Sequence, residues 1–80
     1  LLVVVGPLNE HIMNDATLEK HQVFLTAVTA WLSVEGIRFV VPEVLPSDEF
    51  ADASHPLTEG YERLAKRLVA DPVFKTWFAQ

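Results

Sequence analysis

Two apolar runs, Leu1-Leu2-Val3-Val4-Val5 and Ile37-Arg38-Phe39-Val40-Val41, bracket a stretch of helical periodicity, and that order leaves the chain few folds. The first run has no polar alternation, so it fits a strand buried on both faces, as in a parallel sheet. Gly6-Pro7-Leu8-Asn9 ends it, and the polar stretch from Glu10 to Asn14 leads to Asp15 or Thr17 as a helix N-cap. Leu18, Leu25, Val28 and Leu32 then recur at helical spacing, with Phe24 and Trp31 beside them. Glu19, Lys20, Thr26 and Ser33 fall mainly on the other side, and Gly36 is the helix stop. Two strands joined through a helix run parallel, with a right-handed crossover. Residues 1–41 therefore read as one strand–helix–strand unit of an α/β protein.

The connection from Pro42 to Pro56 is long for such a protein, and long connections are often functional loops. Ser47-Asp48-Glu49 can start one helical turn within it. Tyr61, Leu64, Ala65, Leu68 and Val69 then form an apolar stripe at i, i+3, i+4, i+7 and i+8. Asp71-Pro72 reads as an N-cap and first-turn proline opening a short last helix with Val73, Phe74, Trp77 and Phe78. No repeat, low-complexity segment or linker marks a domain boundary. Eighty residues, half of them apolar, form one small unit rather than a disordered chain. Leu1 opens its apolar run with no initiator methionine and no polar lead-in, so the expectation is a core strand whose upstream chain lies outside these residues. That run is too short for a membrane span and lacks the charged flank of a secretion signal.

A net charge of −5 argues against a nucleic-acid partner. The one basic cluster, Arg63, Lys66 and Arg67, reads as a solvated helix face near a C-terminus, where cations suit the dipole. Without cysteine there are no disulfides and no thiolate metal sites. His11, His21, Asp52 and His55 show no helical His-x3-His or Glu-bridged spacing, which argues against zinc.

The chemistry concentrates in Asp52-Ala53-Ser54-His55-Pro56. An aspartate three residues before a histidine can take the imidazole Nδ1 proton, fix the tautomer and leave Nε2 free as a general base. Pro56 suits the start of the following helix, where its missing N–H costs nothing. The loop follows a buried strand, at the sheet edge where α/β active sites assemble. Asn9 follows the other strand at the same edge. Its side-chain amide could donate to an oxyanion, or it could be a turn asparagine satisfying local backbone groups. His11 is a candidate for lining an acyl or acceptor pocket, although a solvent-facing loop histidine is the simpler reading. His21 reads as a hydrogen-bonded histidine at the core edge, and Asn14-Asp15 as a helix cap. Ser33, mid-helix, Ser47, and Ser54, between the dyad residues, are poor nucleophiles. Trp31 and Trp77 read as core or interface residues.

The block Asp52…His55-Pro56…Gly60-Tyr61…Leu64-Ala65…Leu68 resembles the last signature block of the SGNH (GDSL-type) esterases and acyltransferases. Gly6-Pro7-Leu8-Asn9-Glu10 is similar to the Pro-x-Asn form of that family's asparagine block, found in D-alanyl transfer proteins of the teichoic acid pathway and in alginate O-acetylation proteins. It departs from the usual Gly-x-Asn-Asp by one extra residue and by glutamate after the asparagine. No Gly-Asp-Ser nucleophile block is present. The resemblance implies that residues 1–80 are the C-terminal segment of a single SGNH-type domain, a flavodoxin-like three-layer α/β sandwich with a parallel sheet. The nucleophilic serine would then lie upstream, and the missing N-terminal part of the domain would be a partner of this segment. The implied chemistry is serine-ester acyl transfer on a small-molecule or carbohydrate ester, with no metal or organic cofactor. Asp52 and His55 would be the dyad and Asn9 the oxyanion donor, while Gly60 and Tyr61 are structural, one permitting close packing and the other opening the buried stripe. The alternatives are a non-catalytic SGNH-like protein and a small protein-interaction domain.

Overall fold

In the computed structural model, which describes residues 1–80, β1 (Leu2–Val4) and β2 (Arg38–Val40) pair in parallel. Leu2 lies opposite Arg38, Val3 opposite Phe39 and Val4 opposite Val40. The Val5 N–H extends the ladder by one bond, 2.9 Å to the Val40 carbonyl. Between the strands runs α1 (Asp15–Val34), and after β2 come α2 (Thr58–Ala70) and α3 (Pro72–Phe78). Single 3-10 turns at Glu10–Ile12 and Ser47–Glu49 interrupt the two loops. The chain is thus mixed α/β, with a two-stranded parallel sheet and three helices. No helix is long and apolar enough to cross a membrane.

Local chemistry explains most boundaries. The cap of α1 is Asn14 rather than Asp15 or Thr17: its side-chain oxygen accepts the Thr17 N–H at 2.8 Å. Asp15 becomes the first helical residue, where a negative charge suits the helix dipole. At the other end Gly36 takes φ +69°, and the Ile37 N–H reaches back 2.9 Å to the Leu32 carbonyl. A residue without Cβ enters that conformation freely. Asp71 caps α3 through Val73 N–H at 2.8 Å, with Pro72 in its first turn. Phe74 stacks on Phe78 and tilts against Trp77, which is half-buried.

Three expectations about packing need correction. β1 is not buried on both faces, since Leu1 and Val4 are exposed, and no third strand pairs with it. On α1, Leu18, Leu25, Val28 and Leu32 do face inward. Phe24 and Trp31, however, remain 63% and 57% exposed, and with Val23 and Val34 they form a second, outward apolar face. On α2, Leu64 and Leu68 are half-buried while Tyr61 and Val69 are exposed, so the stripe borders open space. The buried residue of that helix is Gly60.

The tightest packing lies elsewhere, in the loop after β2. Leu45 is fully buried, and Glu49, Phe50, Pro56 and Gly60 are buried with it. A Cβ on Gly60 would come within 2.7 Å of the Glu49 carbonyl oxygen and 3.0 Å of Leu45 Cδ1. Only glycine lets α2 sit this close to the loop.

Candidate active site

Phe50 and Pro56 form an isolated antiparallel bridge that closes residues 51–55 into a short turn. Its hydrogen bonds are made by the neighbours: Ala51 N–H to the His55 carbonyl and Leu57 N–H to the Glu49 carbonyl, both 2.7 Å. Proline is therefore accommodated at the bridge position, which demands no N–H from it. Pro56 does not start α2, as its position before the helix had suggested; it ends the turn, and the helix begins two residues later.

Asp52 and His55 sit on this turn. Asp52 Oδ1 accepts the N–H of Ser54 at 2.9 Å and that of His55 at 2.8 Å. His55 Nδ1 lies 2.9 Å from Oδ1 and 3.0 Å from Oδ2. The Ser54 N–H, then the His55 ring and the His55 N–H, hold the Asp52 carboxyl below the usual carboxylate range. A charged acceptor at Nδ1 selects the tautomer protonated there, so the lone pair is on Nε2, which has no partner within the chain. The Ser54 hydroxyl lies 3.2 Å from Nδ1, the nitrogen already committed to Asp52, so the ring does not activate it. Both dyad side chains are open to solvent, His55 at 68% and Asp52 at 57%.

Asn9 is buried and is fastened to the same turn. Its backbone N–H donates to the Ala53 carbonyl at 2.9 Å, and its Nδ2 to the Asp52 carbonyl at 3.4 Å. Its Oδ1 accepts the His11 N–H at 3.2 Å, which caps the Glu10–Ile12 turn. One of the two Nδ2 hydrogens is left over. The loops that leave the C-terminal ends of β1 and β2 are thus tied together through Asn9.

The remaining histidines have structural partners. His11 is exposed, as the loop reading expected, yet it is not free: its Nε2 donates to the Leu45 carbonyl at 2.7 Å and its ring lies edge-on to Phe50. His21 lies 3.7 Å from Glu10 at the edge of the core. The three imidazoles therefore point to three separate partners.

Sequence reasoning missed one element of the site. Arg63, assigned to a solvated face, instead grips Glu49 with Nε at 2.8 Å from Oε1 and Nη2 at 2.7 Å from Oε2. This fork holds the Glu49 carboxyl low against the opposing effect of burial. It pins the Ser47–Glu49 turn, and with it one end of the dyad turn, onto α2. The i, i+14 separation across a loop leaves no periodic signal. Beside the turn, a groove of about 450 Å³ runs between Leu64 and Leu68 of α2 and Val4 at the end of β1.

Compared with family models, curated proteins and solved structures, the chain matches none.

Proposed function

We propose that this chain supplies the acid–base half of a serine-dependent esterase or O-acyltransferase of the SGNH type. The observation that carries the reading is the Asp52–His55 pair, with its carboxylate on Nδ1 and Nε2 unpartnered. In the proposed reaction a serine outside residues 1–80 attacks the ester carbonyl while His55 Nε2 takes its hydroxyl proton. Asp52 stabilises the imidazolium, which then protonates the departing alcohol. Water or an acceptor hydroxyl, deprotonated in turn by His55, releases the acyl group as acid or new ester. Asn9 offers its remaining Nδ2 hydrogen to the oxyanion, a contact typically worth about 3–4 kcal/mol in the transition state.

We also infer that the flavodoxin-like sandwich is the complete architecture. The parallel pairing, the packing of both α1 and α3 against β2, and the lone β1 edge support it. The exposure of the dyad supports it too, because a second layer over the turn would exclude water and strengthen every interaction there. The outward apolar face of α1 favours a second reading, a protein-interaction module whose dyad is incidental.

A fluorophosphonate probe separates the two, read by intact mass and peptide mapping of the protein that carries this chain. The enzyme reading expects one adduct, on a serine outside residues 1–80, that disappears in His55→Ala. An unmodified protein, or labelling indifferent to His55→Ala, sinks it.

A further inference from the structure

Resting on that reading, we propose that Arg63 and Glu49 are positioning residues for the dyad, their ion pair keeping closed the turn that holds His55 on Asp52. The dyad contact is made in water, with both side chains more than half exposed. An exposed ion pair gains little by itself, and this one also needs the loop between its members fixed in one conformation, at a cost in backbone entropy. The closure has to come from outside the pair. Asn9 supplies part of it, but its bonds go to the carbonyls of Asp52 and Ala53. Those hold the front of the turn and leave His55, at its back, to the bridge between Phe50 and Pro56.

Glu49 governs that bridge. Its carbonyl accepts the Leu57 N–H at 2.7 Å, the outer of the two bonds that flank the bridge. Its N–H donates to the Pro46 carbonyl at 3.0 Å, and its backbone is seated against Gly60 of α2. Its carboxylate is taken by Arg63, Nε at 2.8 Å and Nη2 at 2.7 Å. From Leu57 the chain reaches His55 through Pro56 alone, whose ring fixes its φ. Neither Glu49 nor Arg63 bonds to a dyad side chain, so any effect on His55 passes through this backbone path. The Glu49 side chain is only 11% exposed. Without Arg63 its carboxylate would be shielded from water and unpaired, which drives it outward. That movement carries the Glu49 carbonyl off the Leu57 N–H and opens the turn behind His55.

The test is Arg63→Met in the protein that carries this chain, with the His55 ring nitrogens followed by 1H–15N correlation and fluorophosphonate labelling followed in time. The preference of the ring proton for Nδ1 should weaken. Labelling at saturating probe should slow on the order of tenfold, with the half-saturating concentration unchanged. Arg63→Lys keeps the charge without the fork and should recover part of both effects. Asn14→Ala, which loosens α1 instead, should change neither. A His55 ring in Arg63→Met identical to that of the parent overturns the proposal, because Asn9 and the bridge then hold the turn without the ion pair. Equal disturbance by Asn14→Ala also overturns it, as a general loss of stability, and so does a labelling rate that Arg63→Met leaves untouched. The ring is read without turnover, so the two ideas fail separately. A ring that responds to Arg63→Met in a protein no probe labels sinks the esterase reading and keeps the turn-closing role. An unresponsive ring beside labelling that depends on His55 sinks the positioning role alone.

Discussion

The dyad turn and the α1–sheet layer are built to different standards. Of the eight buried residues, only Leu32 and Val40 belong to α1 and the strands. Asn9, Leu45, Glu49, Phe50, Pro56 and Gly60 all surround the turn that carries Asp52 and His55. The turn is held by a backbone bridge, a bidentate ion pair and a buried asparagine, each drawn from a different segment. The α1 layer instead leaves Val23, Phe24, Trp31 and Val34 in solvent and one edge of β1 unpaired. A loop normally borrows rigidity from its scaffold. Within residues 1–80 the scaffold is the looser part, and the close packing surrounds the turn that carries Asp52 and His55.

The contrast can be broken most forcefully by truncation. Leu45→Ala should cost about 2–5 kcal/mol in denaturant unfolding, whereas Phe24→Ala on the outer face of α1 should stay within about 0.5 kcal/mol. Comparable losses at the two sites would erase the distinction. Next in size, Gly60→Ala forces a Cβ against the Glu49 carbonyl and should cost about 1–3 kcal/mol. Urea midpoints would show it, and a neutral effect would mean that the loop is not seated on α2 as described. Asn14→Ala removes the α1 cap and should cost about 1 kcal/mol, read as a lowered thermal midpoint.

Acid adds a fourth test. Asp52 and Glu49 both have depressed pKa values in the folded chain. Each therefore contributes stability that is complete above the ordinary carboxylate range and is lost as pH falls through its lowered folded value. The acid limb of a stability–pH curve should flatten in Asp52→Asn and in Glu49→Gln. Lys20→Gln on α1, a side chain that acts on neither carboxylate, should leave it unchanged.

Most of the element order was legible because it depends on local chemistry. The parallel strand pair follows from two apolar runs separated by one helix, and Gly36 and Asp71-Pro72 end and start helices for backbone reasons that need no distant partner. The Asp52–His55 contact was legible for the same reason, being three residues apart on one turn. What escaped were contacts between segments. Arg63 looked like part of a basic face because nothing near it in sequence announces Glu49. Pro56 looked like a first-turn proline because its bridge to Phe50 depends on a chain reversal. Tyr61 and Trp31 sit at correct helical spacing, yet periodicity reports which residues share a face and not whether that face is covered.

Long-range 1H–15N correlation of the His55 ring nitrogens tests the dyad most directly. At a pH where the ring is neutral, the proton should reside on Nδ1, and Asp52→Asn should weaken that preference. Free imidazole side chains favour the proton on Nε2, so finding it there in His55 would contradict a carboxylate-oriented base and, with it, the proposed catalytic role.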